Sequence, residues 1–297
     1  MKALNAERYY LDLLIPVFLI LLAEILIFYG KPEAAMPIHA LNLVFLSLST
    51  IFVNNRTYPA LMLLPLFRLL NVAMPVFFHL TLYSYVLVYA PMFIPMYMIL
   101  KERFITAEEA GLTFERFWFF LPVSISMGLA LGWGEYMVIK PQMLVVDNNL
   151  QQIIILSLTM ILFVGIVEEF VFRSSLQTVL QERIGFIAGL VLASVIFGFM
   201  HSGYHLTLEL LYVSLAGLAF GVLFWLSKSL PIVSLAHGVT NIALFLVAPL
   251  KPEILPYLII GPLFLFFFYA YALDRIKERI ATSILGSQKL YVSVTLW

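Results

Sequence analysis

Cysteine is absent from this 297-residue sequence, and charged residues are scarce. The lack of cysteine excludes a disulfide framework, a thiolate metal site and a cysteine nucleophile. Asp, Glu, Lys and Arg together make up only 11% of the chain, against roughly 25% in soluble domains. Seventeen basic residues balance seventeen acidic ones, so the chain has no bulk charge with which to attract nucleic acid.

Apolar residues dominate instead. They account for 63% of the chain, aromatic residues account for 15%, and the mean hydropathy is +1.01. A soluble globule of this size needs a polar shell, which such a composition does not supply. The composition therefore predicts an all-α fold, namely a polytopic transmembrane helical bundle in the lipid bilayer.

The apolar segments divide into candidate membrane spans of about 20 residues each. Polar residues and prolines interrupt residues 58–100 without forming a clear loop, and segment 40–53 is short enough to be re-entrant. We therefore predict about 8–10 spans. The predicted spans cover roughly residues 9–29, 40–53, 58–74, 80–100, 117–139, 153–180, 184–201, 206–227, 231–249 and 254–273.

The longest polar stretch, residues 101–116, divides the chain. Thr106 and Glu109 have the spacing of a capping box, which predicts a short interfacial amphipathic helix there. The predicted organisation is a set of N-terminal transmembrane helices of unclear role at 1–100, the interfacial helix at 101–116, a core at 117–273 and a cytoplasmic tail at 274–297.

The basic residues indicate an orientation. If the N-terminus is inside and the chain crosses ten times, Lys31, Lys140 and Lys251 lie outside, and most other basic residues lie inside. This distribution obeys the positive-inside rule, so both termini are predicted to be cytoplasmic.

Three ionisable residues lie together in the predicted span 153–180. Each costs about 2.5–3.5 kcal/mol in a membrane helix, so such a cluster indicates a function. Glu169 and Arg173 are at i, i+4 and can form an ion pair. Glu168 is turned about 100° away and has no local partner, which leaves its carboxylate available for chemistry. The alternative is that all three residues form a structural network of salt bridges.

His201 is the natural partner of Glu168. A hairpin that turns near residues 183–185 places these two residues at equal distances from the turn, about 25 Å along their helices. A carboxylate and an imidazole at one depth can together bind and deprotonate a water molecule.

His237 and Asn241 form a second polar pair, also at i, i+4. Both can donate hydrogen bonds to an oxyanion that develops from a carbonyl group. A structural hydrogen-bonded contact between two helices would use the same residues, and the spacing does not distinguish these two roles.

A metal site is the competing chemistry. Glu168, His201 and His237 are a set of one carboxylate and two imidazoles that could bind zinc and leave a position open for water. His205 adds an HxxxH spacing with His201, but Gly203 between them weakens the helix.

Taken together, the three motifs resemble those of the CAAX-protease and bacteriocin-processing family, also called CPBP or Abi. The motifs are Glu168-Glu169-x-x-x-Arg173, Phe197-x-x-x-His201 and His237-x-x-x-Asn241, in the family's order and each in its own hydrophobic span. The resemblance covers roughly residues 105–250 and puts the catalytic core in the C-terminal half.

This resemblance implies a glutamic-type intramembrane endopeptidase that needs no cofactor. Glu168 would be the general base that activates water with His201, while His237 and Asn241 would form the oxyanion hole. Glu169 and Arg173 would order the site. Family members act on prenylated CAAX proteins, bacteriocins or the sorting tails of surface proteins, so the implied substrate is a membrane protein or lipid-modified peptide.

The sequence is also compatible with a zinc-dependent membrane protease and with a non-enzymatic membrane protein. The family was long described as metalloproteases, which keeps the zinc alternative of Glu168, His201 and His237. A non-enzymatic membrane binding or immunity protein would use the polar residues as a fixed network. A transporter is disfavoured because the sequence has no inverted repeat and no paired broken helices.

Overall fold

The computed structural model describes residues 2–77, 82–144, 149–268 and 270–271. All regular elements within these ranges are helices. The predicted tail at 274–297 lies outside the described residues.

Eleven helices make up the described chain, and short 3₁₀ turns follow two of them. Ala90–Met92 joins α4 to α5, and Ser202–Tyr204 follows α8. The helices are α1 Lys2–Phe28, α2 Pro32–Phe52, α3 Thr57–Phe77, α4 Leu82–Tyr89, α5 Phe93–Lys101, α6 Phe117–Ile139, α7 Leu150–Ile184, α8 Phe186–Phe199, α9 Thr207–Ser227, α10 Leu230–Val247 and α11 Pro252–Phe268.

Six of the described helices are long and apolar enough to cross a membrane, namely α2, α6, α7, α8 with the turn that follows it, α9 and α10. Shorter apolar helical segments lie at Thr57–Ala73, Tyr85–Lys101 and Pro252–Phe268. The prediction of an all-α polytopic bundle is therefore confirmed, and the protein is an integral, multi-pass membrane protein.

Helix α2 differs from its prediction. The segment predicted at 40–53 begins earlier, at Pro32, and forms a helix of 21 residues rather than a short re-entrant one. Pro32 occupies the first turn, where the missing N–H of proline costs no hydrogen bond.

The interfacial helix predicted at 101–116 is not a helix. Helix α5 ends at Lys101 and α6 begins at Phe117, with turns between them. The capping box itself forms, because the Thr106 N–H donates to Glu109 Oε2 at 2.9 Å and the Glu109 N–H donates to Thr106 Oγ1 at 3.2 Å. Gly111 then adopts a left-handed conformation with φ +69° and ends the segment after a single turn.

Helix α10 packs against both α6 and α7 through glycines. A Cβ atom on Gly132 of α6 would overlap the carbonyl oxygen of Thr240, and one on Gly165 of α7 would overlap that of Ser234. Small residues of this kind let membrane helices approach closely. The close approach brings the polar faces of α7 and α10 together.

Helix α7 is irregular around the glutamates. Residues Met160–Gly165 and Phe170–Gln177 are π-helical, and the α-helical turn Ile166–Glu169 lies between them. Such π segments often mark functional sites in helices. The helix then ends at Gly185, whose φ of +90° allows the tight turn into α8.

Candidate active site

A single cavity of about 280 Å³ is lined by all four residues predicted to be catalytic. Glu168 comes from α7, His201 follows α8, and His237 and Asn241 come from α10. The structure therefore brings together residues that the sequence places on three separate helices. A common cavity is what joint action on one substrate requires.

His201 lies directly after α8, on the other arm of the hairpin from Glu168. The hairpin turns at Gly185, as predicted, and both residues reach the same cavity. His201 Nδ1 lies 3.0 Å from the carbonyl oxygen of Phe197. Because a carbonyl can only accept, Nδ1 carries the proton, and Nε2 of neutral His201 is left with a free lone pair.

Glu169 has two partners within the bundle. Its Oε2 lies 3.1 Å from Arg173 Nε, which is the predicted i, i+4 ion pair. Its Oε1 lies 2.6 Å from Nδ1 of His237, a contact that the sequence did not indicate. The Glu169 side chain is fully buried, and its two partners are nearly so, so both contacts are shielded from solvent.

Glu168 and His237 also face each other. His237 Nε2 lies 3.8 Å from Glu168 Oε2. The imidazole of His237 is thus flanked by two carboxylates, one at each ring nitrogen. Asn241 lies one helical turn further along α10 and lines the same cavity.

Arg173 is enclosed by aromatic rings. It is 1% exposed, and its Nη1 and Nη2 have no hydrogen-bond partner in the described part of the chain. Its guanidinium carbon instead lies 4.3 Å from the ring centre of Phe197 and 5.5 Å from that of Phe220. The ring faces offset part of the cost of burying this cation.

The same two phenylalanines fix the histidines. The Phe220 ring stacks on His237 with 5.1 Å between ring centres and an angle of 11°. Phe197 contacts the rings of both His201 and His237, at 5.0 and 5.8 Å. In the sequence, Phe197 stands out only as a motif position, and Phe220 does not stand out at all, because an apolar side chain in an apolar span gives no signal.

Two further groups at the cavity come from the N-terminal helices. The Tyr89 hydroxyl donates a hydrogen bond of 2.5 Å to Glu168 Oε1. Arg68 lines the cavity, pairs with Glu24 and donates to the carbonyl oxygen of Met200, the residue before His201. Nothing in the sequence assigned a functional role to Arg68, Glu24 or Tyr89.

The zinc alternative finds no support in the arrangement of these groups. Among the described residues, no three His, Asp or Glu side chains are grouped so that they could hold a metal ion. His237 directs one ring nitrogen to Glu169 and the other toward Glu168, both within the protein.

Polar groups that converge on one cavity inside a bundle of apolar helices are the arrangement expected of an intramembrane hydrolase. Residues 150–243 match the model of the Rce1-like family, described as type II CAAX prenyl endopeptidase Rce1-like. The matched segment includes all three motifs and confirms their resemblance to CAAX-type membrane endopeptidases. No curated protein and no solved structure matched the chain.

Proposed function

We propose that this protein hydrolyses a peptide bond in a lipid-modified, membrane-associated substrate by means of a water molecule activated by Glu168 and His201. The observation that carries the proposal is the single cavity lined by Glu168, His201, His237 and Asn241. The family description, a prenyl endopeptidase, supports a prenylated CAAX peptide as the substrate class.

In the first step, a water molecule lies between the Glu168 carboxylate and Nε2 of His201. Glu168 takes one proton as the water oxygen attacks the carbonyl carbon of the scissile bond. His201 accepts the second hydrogen bond of the water through the lone pair that its contact with Phe197 leaves free. The carbonyl oxygen becomes an oxyanion.

His237 and Asn241 stabilise this oxyanion. The side-chain amide of Asn241 donates one hydrogen bond. His237 donates the other through Nε2, which requires a proton on each ring nitrogen because Nδ1 faces the Glu169 carboxylate. Donors held in place before the reaction stabilise a developing charge without reorganisation.

Collapse of the tetrahedral intermediate completes the reaction. The C–N bond breaks, the proton held by Glu168 passes to the leaving amine, and a carboxylic acid and an amine are released. Glu169 and Arg173 order the site, because Glu169 fixes the orientation of the His237 ring and is itself fixed by Arg173. The mechanism uses no cofactor.

The proposal also includes an orientation and a route of entry. Both termini lie in the cytoplasm, and the substrate reaches the site from the bilayer. A prenyl chain partitions into the lipid and brings the attached peptide to the bundle, where exposed apolar helix faces meet the acyl chains. This orientation and this route of entry are part of the proposal.

The decisive experiment compares Glu168→Gln with the wild-type protein in lipid nanodiscs. The substrate is a farnesylated CAAX peptide, and the same peptide without the lipid is run in parallel. We expect Glu168→Gln to lower kcat by about 10²- to 10⁴-fold, and the unmodified peptide to be cleaved poorly. Glu182→Gln is the matched control, since Glu182 lies on the same helix with a side chain that is 62% exposed.

Two results would overturn the proposal. Cleavage by Glu168→Gln at the wild-type rate would show that Glu168 is not the general base. Loss of wild-type activity after treatment with a chelator, with recovery on adding zinc, would favour the metal alternative at Glu168, His201 and His237.

A further inference from the structure

Tyr89 donates a hydrogen bond to Glu168, and it comes from outside the segment that matches the family. Its hydroxyl lies 2.5 Å from Glu168 Oε1, while residues 150–243 carry the family match. The two residues are 79 positions apart. The N-terminal helices thus contribute a side chain that contacts the proposed general base.

The position of the Tyr89 ring is set on several sides. Tyr89 is the last residue of α4, and the 3₁₀ turn that contains Pro91 follows it. Its ring packs edge-to-face on Phe67 with 5.2 Å between centres and stacks on Tyr85 at 6.5 Å. The residue is only 6% exposed. A ring packed in this way has few alternative rotamers, so its hydroxyl points to one place.

The hydrogen bond makes the two oxygens of Glu168 different. Oε1 accepts from Tyr89, whereas Oε2 faces Nε2 of His237 at 3.8 Å. At 3.8 Å, His237 Nε2 is too far from Oε2 to donate a hydrogen bond to it. A proton acceptor needs a free lone pair directed at the proton it removes.

We propose that Tyr89 is a positioning residue that holds Glu168 by Oε1 and so leaves Oε2 as the atom that takes the proton from water. This inference rests on the proposed function, because it assigns the oxygen of the general base. It also means that the catalytic centre is completed by α4, outside the core that the family match covers.

The test is Tyr89→Phe, which keeps the ring and removes only the hydroxyl. We expect kcat on the farnesylated peptide to fall about 10- to 100-fold, the effect of losing one hydrogen bond to a charged group. KM should stay within about twofold, because only the carboxylate loses its orientation. The thermal unfolding midpoint should fall only slightly, so that the variant remains folded in the assay. Tyr97→Phe is the matched control, since Tyr97 lies on α5 and is 64% exposed.

A double-mutant cycle separates positioning from general damage. Glu168→Asp withdraws the carboxylate by one methylene and breaks its contact with Tyr89, so adding Tyr89→Phe should then change kcat by less than about threefold. The same 10- to 100-fold loss in both backgrounds would overturn the inference. An increase in KM with unchanged kcat would also overturn it, by making Tyr89 a substrate contact.

The two proposals can fail separately. If Glu168→Gln is inactive and Tyr89→Phe keeps the wild-type kcat, the proposed function stands and the role of Tyr89 is wrong. If Glu168→Gln is fully active, the proposed function itself is wrong.

Discussion

Arg68 and Glu24 form a two-pronged ion pair inside the helical bundle. Arg68 Nε lies 2.7 Å from Glu24 Oε1, and Arg68 Nη2 lies 2.6 Å from Glu24 Oε2. The Ser202 hydroxyl donates to the same carboxylate at 2.6 Å. Because Arg68 also donates to the carbonyl oxygen of Met200, the pair holds the chain on both sides of His201.

Breaking this pair on one side should destabilise the protein strongly. Arg68→Met leaves the buried Glu24 carboxylate without its guanidinium partner, with only the His39 ring at 3.2 Å and the Ser202 hydroxyl beside it. Removing one partner of a buried ion pair costs about 3–5 kcal/mol. We expect a large drop in the unfolding midpoint in detergent, measured by intrinsic fluorescence. The double variant Glu24→Gln with Arg68→Met removes both charges and should recover part of the loss. A double variant less stable than Arg68→Met alone would contradict this account.

Glu169→Gln should impair catalysis as well as stability, because both members of the pair that it breaks are buried. The glutamine keeps the shape but cannot hold the His237 ring with a charged acceptor, and it leaves Arg173 without its anion. By analogy with other carboxylate–histidine pairs, kcat should fall by about 10²- to 10⁴-fold. Steady-state kinetics on the farnesylated peptide measure this effect, with Glu182→Gln as the control. A kcat equal to that of the wild type would show that the contact between Glu169 and His237 has no catalytic role.

Gly165→Ala should separate α7 from α10. The added Cβ would overlap the Ser234 carbonyl oxygen, so the helices must move apart, at a cost of about 1–3 kcal/mol. We expect a lower unfolding midpoint and reduced kcat, because Glu168 and His237 lie on these two helices. Gly261→Ala is the matched control, since nothing lies within 4 Å of its added Cβ. Equal midpoints for the two variants would contradict the packing argument.

Glu109 should make stability depend on pH. Its partial burial raises the pKa of this carboxyl, but hydrogen bonds from Thr106 and Arg56 outweigh burial and hold the pKa below the ordinary 4.5. A carboxyl with a lowered pKa stabilises the folded state above its ordinary pKa, and this contribution disappears as the pH falls through the folded-state value.

The measurement compares the unfolding midpoints of wild type and Glu109→Gln at pH 7 and near pH 3.5. The wild type should be slightly more stable at pH 7, and the difference should shrink at the lower pH. Added salt should also reduce the difference, since Glu109 and Arg56 are partly exposed. Glu108→Gln, an exposed neighbour, is the control. A difference that grows on acidification would reverse the sign and contradict the account.

Helix positions were largely predictable because apolar length and flanking charges decide them. Helix α6 has the bounds that were predicted, with Arg116 and Lys140 directly outside its ends. The segment after α5 was predicted wrongly as a helix. Its capping box forms as expected, but Gly111 ends the turn and its carbonyl oxygen instead accepts a hydrogen bond from the N–H of Leu230.

The candidate site was predictable only where its contacts are local. The ion pair of Glu169 and Arg173 follows from a spacing of four residues within one helix. The turn at Gly185 relates Glu168 to His201, because both helices start from it. The turn does not determine which neighbours surround Glu168, since that depends on how separate helices are rotated against each other.

The sequence by itself determined that the protein lies in a membrane, that its spans are helical and which six polar residues carry the motifs. These properties follow from composition and from the period of the helix. Only the tertiary structure decided that Glu169 holds His237, 68 residues away, and that Tyr89 holds Glu168. Such contacts join distant parts of the chain, and close packing of whole helices, rather than any local spacing, brings them together.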